Sequence, residues 1–206
     1  MLHCNLMRMQ HPSVHLHTEK HTHVYTHTIQ TSLNTGPFAV LPGTCPPIPA
    51  DGDKPPPCTI THMAPPEFLP TPTSTKPKGL LADTTSFFHL AVGYLQAYLN
   101  APLPLPSLQQ VFVPAPLTPR PAVALAGCSV LSAELLFSTR DVEPAVESRL
   151  LQVGCLARQW VGVLLRAARP WDEWLVDGLV GHLEEVFVRR YFGRNEALYR
   201  CVFCGK

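Results

Sequence analysis

Five histidines, His15, His17, His21, His23 and His27, crowd one short stretch near the N-terminus. Residues two apart in an extended chain point to the same side, so such imidazoles could gather zinc, nickel or copper. The alternation of His and Thr from His17 to Thr28 is also what a CA-dinucleotide repeat encodes in one reading frame. A translated repeat or a structureless leader is therefore expected here in preference to a metal site. Seven cysteines are scattered along the chain, an odd number without a disulfide-like pattern, and a reduced intracellular compartment is expected. Cys201-x-x-Cys204 has the spacing of half a zinc knuckle, but no second pair accompanies it and no metal is assigned to it.

Other reactive residue types read as structural. Cys155 is expected to be a small buried residue rather than a reactive thiol. His182 and Glu185, three apart, are expected as a helix-surface pair, and Trp160 and Trp174 as core. Arg189, Arg190, Arg194 and Arg200 fit a solvated helix end as well as they fit phosphate contacts. The net charge of +1 leaves no broad basic field for nucleic acid. No run of about 18 apolar residues is present and the N-terminus lacks an apolar h-region, so neither a membrane span nor a secretory signal is expected.

The elements that must position these residues lie in the second half. Residues 1–78 hold 14 of the 23 prolines but only 9 charged residues, and are expected to be a disordered leader, His/Thr-rich and then Pro-rich. Residues 79–206 carry the sustained periodicity and all 3 tryptophans. A helix is predicted from caps at Thr84, Thr85 and Ser86, with Phe87, Ala91, Tyr94, Leu95 and Tyr98 on its apolar side, ending at Asn100. Residues 108–113, 122–126 and 128–137 read as strands or extended core segments. A long helix is predicted from Pro144 to about Ala167, with Val153, Leu156, Trp160, Val163 and Leu164 buried. After the break at Arg169-Pro170, Asp172 is expected to cap a helix over 173–191 that buries Leu175, Leu179, Leu183, Val186 and Phe187. Gly193 suits its C-terminal cap, and Asn195 is expected to start a third helix. The fold class is α+β.

The two long helices carry a specific constellation. The first contains Ala157-Arg158-Gln159-Trp160-Val161-Gly162, and the second Asp172-Glu173-Trp174-Leu175-Val176-Asp177-Gly178. Together they resemble the zinc aminopeptidase family of the membrane alanine aminopeptidase type, with its H-E-L-A-H-Q-W-F-G motif and, 18 residues beyond the second His, the Glu of W-L-N-E-G. The same 18-residue interval separates Arg158 from Asp177. The resemblance covers about residues 79–200 and implies a fragment of a thermolysin-like domain. It places the two His ligands at Gly154 and Arg158, the general-base Glu at Cys155 and the third ligand at Asp177. Glycine offers no ligand atom, and arginine is a permanent cation. The general base that would activate a metal-bound water is missing. The family's amine-binding G-A-M-E-N motif falls near 120–124, where Arg120-Pro121-Ala122-Val123-Ala124 carries no carboxylate. The region bearing the family's catalytic Tyr lies beyond Lys206.

The pattern is therefore similar to an inactive, aminopeptidase-like branch of that family, the branch that serves in the general transcription factor TFIID. Phe87-Phe88-His89, Gln110-Val111-Phe112-Val113, Leu135-Leu136, the glycines Gly178 and Gly181, and Phe192-Gly193 with Asn195-Glu196 favour that branch. It implies a nuclear, non-catalytic scaffold in transcription initiation. Its partners would be other TFIID subunits and core-promoter DNA, with no cofactor and no membrane. A divergent zinc aminopeptidase is the alternative function, and a faulty gene model is the other rival. If Arg158 and Asp177 stand at two former ligand positions, they should converge into an ion pair that closes the vacated site.

Overall fold

A computed structural model describes residues 38–43, 58–68, 79–118, 120–137 and 141–203. The histidine tract and Cys204 lie outside the described residues. Five strands form one mixed sheet in the order β1-β2-β3-β5-β4. They are β1 (Ala39–Gly43), β2 (Thr59–Ala64), β3 (Ser107–Val113), β4 (Ala122–Leu125) and β5 (Cys128–Ser132). The central strands β2, β3 and β5 run parallel, and β1 and β4 close the edges antiparallel. The parallel pair β2–β3 needs a crossover connection. Two helices supply it, α1 (Leu80–Thr85) and α2 (Phe88–Leu99).

The expected boundary at residue 78 cuts through this sheet. Strands β1 and β2 come from the stretch read as a Pro-rich leader, and the compact unit that contains every described residue runs from Pro37 to Lys206. Composition missed them because prolines flank the strands rather than fill them. The core of β2 is Ile60, His62, Met63 and Ala64, all buried. Pro42 sits on the edge strand β1, where a missing N–H is tolerated.

The strands at 107–113 and 122–125 fall where sequence placed them, whereas the extended segment expected over 128–137 is a strand only to Ser132 and turns into a short 3-10 helix at Ala133–Leu135. Asn100 ends α2 in the left-handed conformation at φ 49°. The expected threonine caps are not made. Thr84 and Thr85 lie inside α1, where Thr84 Oγ1 donates to the Phe137 carbonyl at 3.1 Å and ties α1 to the segment after β5.

The helix predicted from Pro144 to Ala167 is α3 (Val142–Ala157), ten residues shorter at its C-terminal end. Two side chains stop it. Gln159 accepts from the Gly127 N–H at 2.9 Å and donates to the Leu125 carbonyl at 3.0 Å, locking onto the β4–β5 turn. Trp160 Nε1–H donates to the Pro102 carbonyl at 2.8 Å. Gly162 then takes φ +133°, which L side chains rarely adopt, so the chain turns there and Leu164 ends up exposed.

Helix α4 (Glu173–Tyr191) has the predicted limits, and α5 (Arg194–Phe203) follows after Gly193 at φ +95°. The buried stripe of α4 is Val176, Val180, Leu183, Phe187 and Val188. Leu175 and Leu179, expected inside, face outward, because the apolar arc is rotated by one residue. Trp174, also expected in the core, is 70 % exposed, whereas Trp160 is buried. The Asp172 side chain makes no cap hydrogen bond. Among the described residues no helix is long and apolar enough to cross a membrane.

Two apolar clusters hold the layers together. The larger joins Ile60 and Leu108 of the sheet to Phe88, Leu95, Leu156, Trp160, Val180 and Phe187 of the helices. The smaller joins Ala64, Phe112 and Leu131 to Leu81, Leu136 and Cys155.

Removing residues 1–78 deletes β1 and β2 and strips a paired neighbour from β3. A chain beginning at residue 79 is expected to lose cooperative unfolding in a denaturant titration, whereas one beginning at residue 37 keeps it. A second expectation concerns acid. Burial pushes His62 from its ordinary value near 6.5 down to about 4, with Gln110 partly opposing the shift. The fold keeps the ring neutral while the unfolded chain protonates first, so the favourable contribution is whole above pH 6.5 and is lost as pH falls toward 4. Relative to His62→Gln, the native chain should lose about 3 kcal/mol of stability over that interval, measured by urea titrations at stepped pH.

Candidate functional site

Helices α3 and α4 pack antiparallel; Gly154, Arg158 and Asp177 lie along their seam, while Cys155 faces the sheet. Gly154 and Arg158 are four apart on α3, hence on one face; Asp177 lies on α4. Arg158 Nη2 donates to Asp177 Oδ1 at 2.5 Å, so the two positions expected to converge do so. The pair is not the buried one that cavity closure would suggest. Its side chains are 36 % and 57 % exposed, which limits its net worth to about 0–1 kcal/mol.

Gly154 is buried, and its missing side chain is what the packing uses. A Cβ built at Gly154 would run into the Glu184 carboxylate oxygen Oε1. Glu184 lies seven residues after Asp177, on the same face of α4. The volume into which a side chain at 154 would grow is therefore held by a carboxylate from the facing helix. Sequence reading missed Glu184, although its spacing from Asp177 and the glycine opposite were the available signals.

Cys155 is 5 % exposed, and burial pushes its thiol up to about 12, with the Arg158 charge pulling weakly the other way. It is a protonated core thiol, linked to Ser129 by a side-chain hydrogen bond. Cys128 is buried too and is pushed up to about 11. Ala122 to Ala124, where an amine-binding carboxylate would be sought, form part of the edge strand β4. His182 is on the surface of α4, 3.4 Å from the Tyr98 hydroxyl, and Glu185 pairs instead with Arg189 at 2.5 Å. Arg200 pairs with Glu196.

These residues do not fit a catalytic zinc ion. Such an ion needs three protein donors around an open position. Position 154 has no donor atom, position 158 places a cation beside the one carboxylate at 177, and position 155 presents a protonated thiol in the core.

No family model matches the chain. Its sequence is similar to transcription initiation factor TFIID subunit 2 of Gallus gallus, 26 % identical over 137 residues, and of Drosophila melanogaster, 28 % identical over 137 residues. These alignments cover 66 % of the chain, which spans only 11 % and 10 % of those two relatives. Its fold is similar to part of that of the M1 zinc metallopeptidase from Deinococcus radiodurans, with a TM-score of 0.52 at 17 % identity. That match covers 79 % of this chain and 31 % of the bacterial one. The α+β, aminopeptidase-like fold that the resemblance implied is thus the fold observed.

Alanine replaces a helix-interior glycine with a gain of about 0.5–1 kcal/mol in ordinary settings. Gly154→Ala should fall short of that gain or reverse it, because Glu184 must move. In a Glu184→Ala background the ordinary gain should return. Thermal melts of the two singles and the double would check this, and additive effects would count against the close approach.

Proposed function

We propose that this chain is part of a non-catalytic, aminopeptidase-like subunit of the general transcription factor TFIID. It acts in the nucleus as a scaffold in transcription initiation by RNA polymerase II, together with other TFIID subunits and core-promoter DNA. The similarity to TFIID subunit 2 from two animals supports the assignment to that factor. The observation that carries the non-catalytic part is the Arg158–Asp177 ion pair at the zinc-site spacing, beside a glycine where a ligand would stand.

In this reading the former site has become a helix–helix contact. Arg158 bridges α3 to α4 at the solvent edge, Gly154 lets the helices approach, and Cys155 packs against the sheet. Of these four positions only Asp177 carries a carboxylate, and it is engaged by Arg158. What remains is a rigid pair of helices with exposed Trp171, Trp174 and Leu175 beside them, a composition found at protein interfaces.

The purified chain is expected to contain less than stoichiometric zinc by elemental analysis and to hydrolyse no aminoacyl-amide. A tagged chain expressed in cells is expected to co-purify other TFIID subunits from nuclear extract. Stoichiometric zinc with turnover would instead establish a divergent aminopeptidase, and loss of co-purification would remove the TFIID assignment.

A further inference from the structure

Helix α4 is apolar on two faces. One carries the stripe from Val176 to Val188 that is buried in the core. The opposite face begins in the turn before the helix, with Trp171, and continues through Trp174 and Leu175. The two indoles are 68 % and 70 % exposed, and Leu175 and Leu179 are exposed beside them. A surface helix ordinarily keeps its outer face polar, and an exposed patch of aromatic and aliphatic side chains marks a contact site.

Two glycines interrupt the same face. Gly178 and Gly181 are exposed, and a Cβ built at either would meet nothing within 4 Å. Neither has a positive φ, so the backbone itself does not call for glycine at these positions. Each lowers helix stability relative to alanine. Gly154 differs, since its space is taken by Glu184. At Gly178 and Gly181 the open space is a shallow notch, C-terminal to the two indoles. Such a notch lets the backbone of another helix approach closely, with bulky side chains packed to either side.

The charges select the occupant. Asp172 precedes the helix and Arg190 lies in its last turn, 18 residues and about five turns apart, so the two stand along one flank. Neither belongs to an ion pair among the described residues. When two copies of one helix pack antiparallel about a two-fold axis, like flanks face each other and every contact occurs twice. Asp172 of each copy then faces Arg190 of the other. Midway between them in sequence lies Gly181, so the charge register puts the crossing point in the notch. The opposed helix dipoles favour the same arrangement.

We propose that the outer face of α4 is a self-association surface, on which a second copy of this chain packs its own α4 antiparallel and crosses at Gly178 and Gly181. Trp174 and Leu175 of each copy are buried against the C-terminal half of the other copy's helix. This pairing does not depend on the TFIID assignment.

Sedimentation equilibrium of the full chain should show the mass of two copies emerging between about 1 and 200 μM, a range suited to so small an interface. Trp174→Glu should weaken the association at least about tenfold and leave the circular dichroism unchanged, because the side chain packs little within one copy. Asp172→Arg and Arg190→Asp should each weaken it through like-charge repulsion. An equimolar mixture of these two variants should restore it, because both cross-pairs then oppose unlike charges. A single-copy mass across the whole range would overturn the proposal. So would association that survives Trp174→Glu, or a mixture of the charge variants no tighter than either alone. A chain that stays single but binds other TFIID subunits through Trp174 would give this face to a different protein and likewise overturn it.

Discussion

The shared apolar seam of α3 and α4 is the interaction on which much of the structure depends. A glycine in mid-helix costs backbone entropy and gives up a side chain to pack. Here the space a side chain would take is used by the Glu184 carboxylate, the movable end of a side chain from the facing helix. Val153 and Leu156 of α3, with Trp160 just beyond it, share a core with Val176, Val180, Leu183 and Phe187 of α4. Arg158 and Asp177 are brought together at the edge of the same seam. The ion pair follows from the packing, since at such exposure it contributes too little to dictate it.

The sheet imposes the second constraint. Gln159 and Trp160 leave the helical path to bond the Gly127 N–H and the Leu125 and Pro102 carbonyls. The end of α3 is thereby fixed on the β4–β5 turn and on the loop before β3. Residues Gly154 to Arg158 lie at the end of a helix whose C-terminal side is clamped from two directions. They present a protonated thiol, a surface ion pair and a glycine contact.

Sequence resolved unequal shares of this. Residues 173–191 are legible as a helix because their apolar period is sustained and Arg169-Pro170 and Gly193 mark its limits. Strand β3 is legible because Val111-Phe112-Val113 is a run of strand formers that Pro114 ends. Strands β1 and β2 are not, because they are short and lie among prolines, and a strand in a sheet draws its stability from neighbours that local composition does not register. The early stop of α3 is hidden for a related reason, since the partners of Gln159 and Trp160 lie 32 to 58 residues away in sequence.

What sequence determined by itself was the spacing. Four residues from Gly154 to Arg158 and eighteen between Arg158 and Asp177 fix which side chains can share a helical seam, because helical periodicity is a local property of the backbone. It also determined which chemistry those positions lack, because donor atoms belong to residue types. Only tertiary structure decided what fills the space. It brought Glu184 against Gly154, left Arg158 and Asp177 partly in solvent rather than in the core, turned Trp174 outward and recruited residues 39–43 and 59–64 into the sheet. Each of these depends on which face one element presents to another, and that is settled by packing between segments far apart in the chain.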